Sequence, residues 1–301
     1  MEEKTKKCIE WIRAFFEKTH MTRAVVGVSG GKDSAVCAAL CAHAIGPKNV
    51  DLVYIPEKFY EGSQDWDCIL RLCKMSFKEY GDDTFDSAYI IQLEKILKDL
   101  ATTAVSESKA LVNIKARLRM TLLYGYAQAG ESTLVCNTSN LDERLMGYST
   151  LWGDSAGDFS PLGLMHVSAV VAMGRDLGLP VDLVERPPED GLSGKTDEEA
   201  LGFSYADVEY VFETLCTSAM QLARSGCCPL SLALPEQVAI RDTANSDIRQ
   251  RIKRVLDRYS ANRFKQGMIN MPTFAPESFS VSALVANNNP VGCESFLTRS
   301  E

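Results

Sequence analysis

Histidine is scarce: the 301-residue chain has 3 (His20, His43 and His166), too few for the imidazole clusters that dominate transition-metal sites. Neither Cys68 with Cys73 nor the adjacent Cys227 and Cys228 has the paired CxxC spacing of a structural zinc site. No Cys-His or Ser-His-Asp grouping has a recognisable catalytic spacing. Basic charge is in deficit, with 32 Lys and Arg against 40 Asp and Glu and a pI near 5.1, which argues against nucleic acid as a partner. No run approaches the roughly 20 apolar residues of a membrane span. The N-terminus, Met1-Glu2-Glu3-Lys4, leads into an amphipathic segment carrying Glu10, Arg13 and Glu17, where a signal peptide would need an apolar core. Repeats and low-complexity tracts are missing too. What the chain does have is 46 % hydrophobic residues, enough for a sizeable core. Its 10 cysteines are dilute and irregularly spaced, and Cys37 and Cys41 lie one helical turn apart, so they read as reduced, buried small hydrophobes. These features predict a soluble, cytoplasmic, globular protein with no membrane or nucleic-acid partner.

The hydrophobic pattern alternates short apolar runs with helical segments. Ala24–Ser29 is a continuous apolar run that stops at a glycine pair, as a buried parallel strand does on entering a turn. A helix is expected over Ser34–Ile45, ended by Gly46-Pro47, followed by a strand over Val50–Ile55. The pattern then predicts a helix over Asp65–Tyr80 closed by Gly81, strands at Ala88–Ile91 and Thr133–Cys136, and helices over Leu111–Gln128 and Val167–Leu177. Such alternation predicts an α/β fold: a Rossmann-like parallel sheet flanked by helices. Beyond a loop containing Pro187-Pro188 and Gly191–Gly194, the pattern is helical, over Asp197–Leu201, Tyr205–Leu222 and Leu234–Tyr259. The expectation is one domain over residues 1–301, its α/β core at about 20–265 with a helical extension, and a loose tail at about 280–301.

Gly27-Val28-Ser29-Gly30-Gly31-Lys32-Asp33-Ser34 joins the first strand to the first helix, where an α/β sheet binds ligands. Glycines let the backbone approach a phosphate, unpaired N–H groups at a helix start favour anions, and Ser29 and Ser34 can add hydroxyl donors. Asp33 would repel a pyrophosphate unless a cation lies between them, which points to Mg²⁺. The string is neither a Walker A loop, since Lys32 precedes Asp33, nor a GxGxxG dinucleotide fingerprint.

SGGKDS resembles the pyrophosphatase-type loop of ATP-dependent adenylating enzymes, a superfamily that includes NAD, GMP and asparagine synthetases and tRNA-thiolating enzymes. Further segments choose among them. Asn113-Ile114-Lys115-Ala116-Arg117-Leu118-Arg119-Met120 resembles the NxKARxRM helix of NAD synthetases, and Asn137-Thr138-Ser139-Asn140-Leu141-Asp142-Glu143 their GTSNxxE segment. Gly147-Tyr148-Ser149-Thr150, Gly153-Asp154 and Asp158-Phe159-Ser160-Pro161-Leu162 are similar to their GYxT…GD…D..P stretch. Gly191–Glu198 with Leu201–Tyr205 is similar to GLxxGxTDEExLGxxY. The chain thus resembles the ammonia-dependent NAD synthetases.

That resemblance implies amidation of deamido-NAD by ammonia with ATP going to AMP and PPi, Mg²⁺ as cofactor, and a homodimer. ATP contacts then fall to Gly27, Val28, Ser29, Gly30, Gly31, Lys32, Asp33, Ser34 and Thr138, and magnesium to Asp33 and Glu143, each following the carboxyl end of an expected strand. Arg117, Asp158 and Lys265 are implied as deamido-NAD contacts. For Asp158 a plain loop role, and for Arg119 a solvated or intersubunit charge, stay open. Leu151 and Val167 stand where some family members carry substrate- and ATP-contacting lysines, and Glu189 where others have Thr or Ser. Lys32 and Lys195 are the nearest compensating cations, and Lys195 sits in a Gly-flanked loop able to close as a catalytic lid. Two rival readings remain: another adenylating enzyme such as a tRNA-thiolating one, and a catalytically reduced nucleotide-binding paralogue.

Overall fold

The computed structural model describes residues 1–101, 108–186, 196–216, 246–266 and 271–275. In chain order these form α1 (Glu3–Thr19), β1 (Arg23–Val28), α2 (Lys32–Ile45), β2 (Val50–Tyr54), α3 (Gln64–Cys73), β3 (Ser76–Phe77), β4 (Asp83–Thr84), β5 (Ala88–Ile90), α4 (Glu94–Ala101), α5 (Ser108–Ala129) and β6 (Thr133–Cys136). There follow α6 (Leu141–Met146), α7 (Val167–Asp176), α8 (Val181–Val184), α9 (Asp197–Leu201), α10 (Tyr205–Glu209), a π-helical stretch Tyr210–Cys216, and α11 (Ser246–Gln266). They fall into two compact units. The first takes the described residues within Met1–Asn140, Ser149–Pro188 and Met271–Pro276, the second those within Leu141–Tyr148 and Glu189–Asn270.

In the first unit a parallel sheet has the order β5-β2-β1-β6. β1 is flanked by β2, with Val26 opposite Leu52, and by β6, with Val26 opposite Cys136. The uninterrupted apolar run of β1 follows from burial on both sides, because successive side chains point to opposite faces. Ala24, Val26 and Val28 pack with Ile12 and Phe16 of α1, Val36 and Leu40 of α2 and Val170 of α7. Val25, Val53 and Val135 face the other way, onto Leu93 and Leu97 beside and within α4 and onto Leu118, Leu122 and Leu123 of α5. The expected doubly covered parallel sheet is therefore present, with all four anticipated strands in place. Among the described residues no helix is long and apolar enough to cross a membrane.

The expected helix over Asp65–Tyr80 is corrected: α3 ends at Cys73, and Ser76–Phe77 turns back to pair antiparallel with Asp83–Thr84. Phe77 and Phe85 are buried there with ring centroids 5.4 Å apart, edge to face. Gly81 and Asp82, with φ of 69° and 63°, shape the hairpin that the glycine was expected to make as a helix stop. Burying this aromatic pair wins over helix continuation, and helical periodicity gave no sign of it.

The second unit is helical. Phe212 of the π-helical stretch meets Tyr259 of α11 at 5.0 Å between centroids, and Arg258 donates through Nε to Met146 O at 3.1 Å. Its short helices α9 and α10 are each opened by a reciprocal cap, Thr196 with Glu199 and Ser204 with Asp207. The anticipated start at Asp197 holds. The helix expected over Tyr205–Leu222 changes to π geometry at Tyr210, and α11 runs to Gln266, past the expected end at Tyr259. The Pro187–Gly194 loop, the parts of two expected helices at 217–222 and 234–245, and the 280–301 tail lie outside the described residues.

Candidate functional site

The glycine-rich loop leaves β1 at Val28 and enters α2 at Lys32. Its shape is held from within. Gly31 N–H donates to Ser29 Oγ at 3.2 Å, Ser29 N–H to Ser34 Oγ at 3.3 Å, and Ser34 Oγ–H to Gly31 O at 3.0 Å. The Ser34 hydroxyl is thus spent on the loop itself. Gly30 takes φ of +83°, and a Cβ there would lie 2.6 Å from Asp65 Cα, so glycine is required by both conformation and space. Cys68, Ile69 and Leu72 of α3 line the crevice behind the loop with Val28, Gly30 and Gly31. No side chain caps α2, and the N-terminal turn of a helix is a favourable place for an anion.

Asp33 is held at both oxygens. Asn140 Nδ2 donates to Oδ1 at 3.2 Å and Lys32 Nζ to Oδ2 at 3.0 Å. Asn140 is itself buried, 1 % exposed, at the end of the β6 segment. Preceding it, Asn137 donates through Nδ2 to the carbonyls of Asp154 and Ala156, both at 3.0 Å, and accepts from Ser139 N–H and Ser160 Oγ–H. Thr138, half-buried, stands in the middle of this tightly tied segment. The asparagines thus set the segment's shape, and Asn140 joins it to the Asp33 carboxylate. Sequence spacing gives no measure of a contact bridging positions so far apart; the only signal was that both lie in segments already singled out.

Arg117, exposed on α5, donates through Nε to Leu151 O at 3.2 Å. Close approach explains the glycine nearby: a Cβ on Gly153 would meet Ala116 Cβ at 3.0 Å. Leu151 offers no cation, but its backbone anchors the arginine. Asp158 is a structural tie, accepting from Val135 N–H at 2.8 Å and from Tyr124 OH at 3.1 Å, so the loop role left open in the sequence is present. Burial, reinforced by the Asp158 charge, pushes the Tyr124 phenol well above its ordinary range.

Arg119, left open as a solvated or intersubunit charge, has a contact of its own within the fold. It is half-buried and donates through Nε to Ile55 O at 2.9 Å, at the carboxyl end of β2. Burial lowers its pKa from the ordinary arginine value, while Glu57 and Asp154 act to raise it. Arg186, at the end of the first unit's main run, was not anticipated: it pairs with Asp65 at 2.8 Å beside the loop.

Glu143 lies in the first turn of α6, in the second unit, with its backbone carbonyl accepting from Tyr148 N–H at 2.9 Å. Lys265 is in the same unit, where Nζ donates to Gly147 O at 2.8 Å. Gly147 has φ of +59° and would bring a Cβ within 2.3 Å of Asn262 Cβ. Asp33, Lys32, Asn140, Thr138, Arg117 and Asp158 are all in the first unit. Lys195, the expected lid residue, lies outside the described residues, as do Pro188 and Glu189. Among the described residues no group of three or more His, Cys, Asp or Glu is arranged to hold a metal by itself. The Asp33 carboxylate is of the donor type that suits Mg²⁺, which commonly takes one or two carboxylates and completes its shell with phosphates and water.

A parallel α/β sheet with a self-braced glycine loop and a fixed carboxylate at the carboxyl end of its central strand defines a protein built to hold a polyphosphate at that edge. The NAD synthase family model matches residues 4–227, and the chain belongs to that family. It is 36 % identical over 194 residues to the NH(3)-dependent NAD(+) synthetase of Methanoregula boonei, covering 64 % of this chain and 74 % of that protein. The solved NH3-dependent NAD synthetase from Campylobacter jejuni superposes with a TM-score of 0.65 at 26 % identity, over 92 % of this chain and 100 % of that one. NMN synthetase from Francisella tularensis shares the fold, with a TM-score of 0.67 at 22 % identity over 91 % and 98 % of the two chains.

Proposed function

We propose that the chain is an ammonia-dependent NAD synthetase: ATP, deamido-NAD and ammonia give AMP, PPi and NAD. The observation that carries this reading is the joining of its two most informative segments at one side chain, Asn140 of the post-β6 segment bonded to Asp33 of the glycine loop. The nicotinate carboxylate attacks the α-phosphorus and PPi leaves; ammonia then displaces AMP from the mixed anhydride. No protein nucleophile is needed, so the chain's work is to position charges and keep water out. The loop Gly27–Ser34 and the start of α2 receive the phosphates, with Thr138 beside them. Arg117, anchored on Leu151 O, is read as a cation for the negatively charged dinucleotide, and so, in the second unit, is Lys265, anchored on Gly147 O; Asp158 is read as a further polar contact to the dinucleotide, beside its tie to Val135 and Tyr124. Asp33 and Glu143 would hold Mg²⁺, whose chemistry when bound is to neutralise charge on the departing pyrophosphate. Lys195 is carried as a further catalytic cation, and Lys195→Ala with unchanged turnover would remove it.

The same reading takes residues 1–301 as one synthetase domain working in the cytoplasm as a homodimer. Support for the dimer comes from α5, where Leu118, Leu122, Tyr124 and Tyr126 stay only partly covered although they pack on Val25 and Val53. Free ammonia, or ammonia from a separate protein, is the nitrogen source.

The test is NAD formation from deamido-NAD, ATP and Mg²⁺, with ammonium or glutamine supplied and PPi followed in parallel. NAD is expected with ammonium and not with glutamine, and Asp33→Ala is expected to lower the rate by about two orders of magnitude or more. PPi without NAD would mean that amide transfer is lost. Neither product, with ATP still bound, would overturn the reading in favour of a reduced nucleotide-binding paralogue, the outcome that the missing cations at Leu151 and Val167 would then explain.

A further inference from the structure

Lys32 occupies a place that two physical effects disfavour. It is the first residue of α2, where the helix dipole is positive and a cation is repelled, and it is buried, 4 % exposed. Its ammonium lies 3.0 Å from Asp33 Oδ2, and the other oxygen of that carboxylate is held by Asn140. A cation kept at a buried helix start needs an anion, and here the anion is the carboxylate to which the proposed function assigns Mg²⁺. We propose that Lys32 is the resident counter-ion of Asp33 and is exchanged when nucleotide arrives. In the free protein the ammonium holds Oδ2 and keeps divalent cations off. When Mg²⁺ and the phosphates of ATP bind together, the ammonium moves from the carboxylate to a phosphate oxygen and Oδ2 is released to the metal. Asn140 keeps Oδ1 throughout, so the carboxylate does not swing. One lysine thereby makes metal binding depend on the nucleotide, and supplies next to the phosphates a positive charge of the kind that Leu151 and Val167 do not provide. No bond is made or broken in this exchange.

The inference rests on the proposed nucleotide and metal site, and its test separates the two. Mn²⁺ is titrated by electron paramagnetic resonance, without nucleotide, into the wild-type protein and Lys32→Met, and ATP binding in the presence of Mg²⁺ is measured by calorimetry. Removing one unit charge from contact with the site is expected to strengthen Mn²⁺ binding to the free protein about tenfold or more and to weaken ATP binding by a similar factor. Mn²⁺ affinity that is unchanged or reduced in Lys32→Met would overturn the exchange. The gain must vanish in Lys32→Met/Asp33→Asn; a gain that persists there means the ion binds elsewhere and also overturns it. Thermal unfolding checks that the variants fold. Lys32→Gln, which keeps a donor for Asp33 without the charge, is carried alongside and should show the same Mn²⁺ gain. In the wild-type protein, Mn²⁺ binding should be at least tenfold tighter with a non-hydrolysable ATP analogue than without it. Wild-type protein that makes no NAD yet shows these shifts would refute the synthetase reading and leave the exchange standing.

Discussion

At Asp33 two chemically different donors share one carboxylate, an amide on Oδ1 and an ammonium on Oδ2, and the two should fail differently when removed. Asn140→Ala leaves the charge balance intact but frees the side chain to rotate. It is expected to lower kcat about 10–100-fold, the usual cost of losing a partner that orients a ligand, with the melting temperature little changed. Steady-state kinetics beside a thermal scan check this. Arg119 makes a contrasting case, since its role is in the fold. Arg119→Met leaves the Ile55 carbonyl without its donor inside the protein and should cost about 1–3 kcal/mol of stability in urea unfolding. Residues that stand in a recognisable string, such as Asp33, Glu143 and Arg117, could be singled out from the sequence as candidates. The partners that fix them could not, because Asn140 with Asp33, Arg186 with Asp65 and Arg119 with Ile55 meet only once the sheet has brought distant segments together.

The β1–loop–α2 element tolerates little change in its backbone. Gly30→Ala must both adopt a positive φ and clear Asp65 Cα. The conformational part alone costs about 1–2 kcal/mol, so the loop is expected to shift and ATP affinity to fall at least tenfold, read by calorimetry. Strands were legible as elements wherever burial on both faces produced an unbroken apolar run, as in Ala24–Val28 and Thr133–Cys136. The β3–β4 hairpin was hidden because two-residue strands are too short to show any period, and the cost of that was a helix drawn past Cys73. The change to π geometry at Tyr210 was equally invisible, since the apolar spacing of Tyr205–Leu215 serves either helix. The tight meeting of Gly147 with Asn262 gives a parallel prediction in the second unit: Gly147→Ala should destabilise it, seen as faster proteolysis around α11.

For the molecule as a whole, buried neutral acids set the alkaline limit. Burial pushes the thiols of Cys8 and Cys136 well above the ordinary value of 9.0. Below that pH both folded and unfolded chains keep these protons and the stability is fully present. Above it the unfolded chain releases them first, so stability falls as pH rises, by about 1.4 kcal/mol per pH unit for each such thiol. Urea midpoints should therefore drop between about pH 9 and 11, and Cys8→Ala/Cys136→Ala should flatten that slope. A midpoint indifferent to pH in this range would mean the thiols are solvated. Cys8, Cys37, Cys41, Cys68, Cys73 and Cys136 take part in no disulfide. The strand order has its own consequence. β2 follows β1 closely in the chain and offers it one partner, but the other is β6, with Arg23 paired to Thr133. At the roughly 5–20 residues per second of a ribosome, the nascent chain carries the open edge of its central strand for on the order of ten seconds. During that time the same apolar run that leads into the glycine loop is the surface most in need of a chaperone.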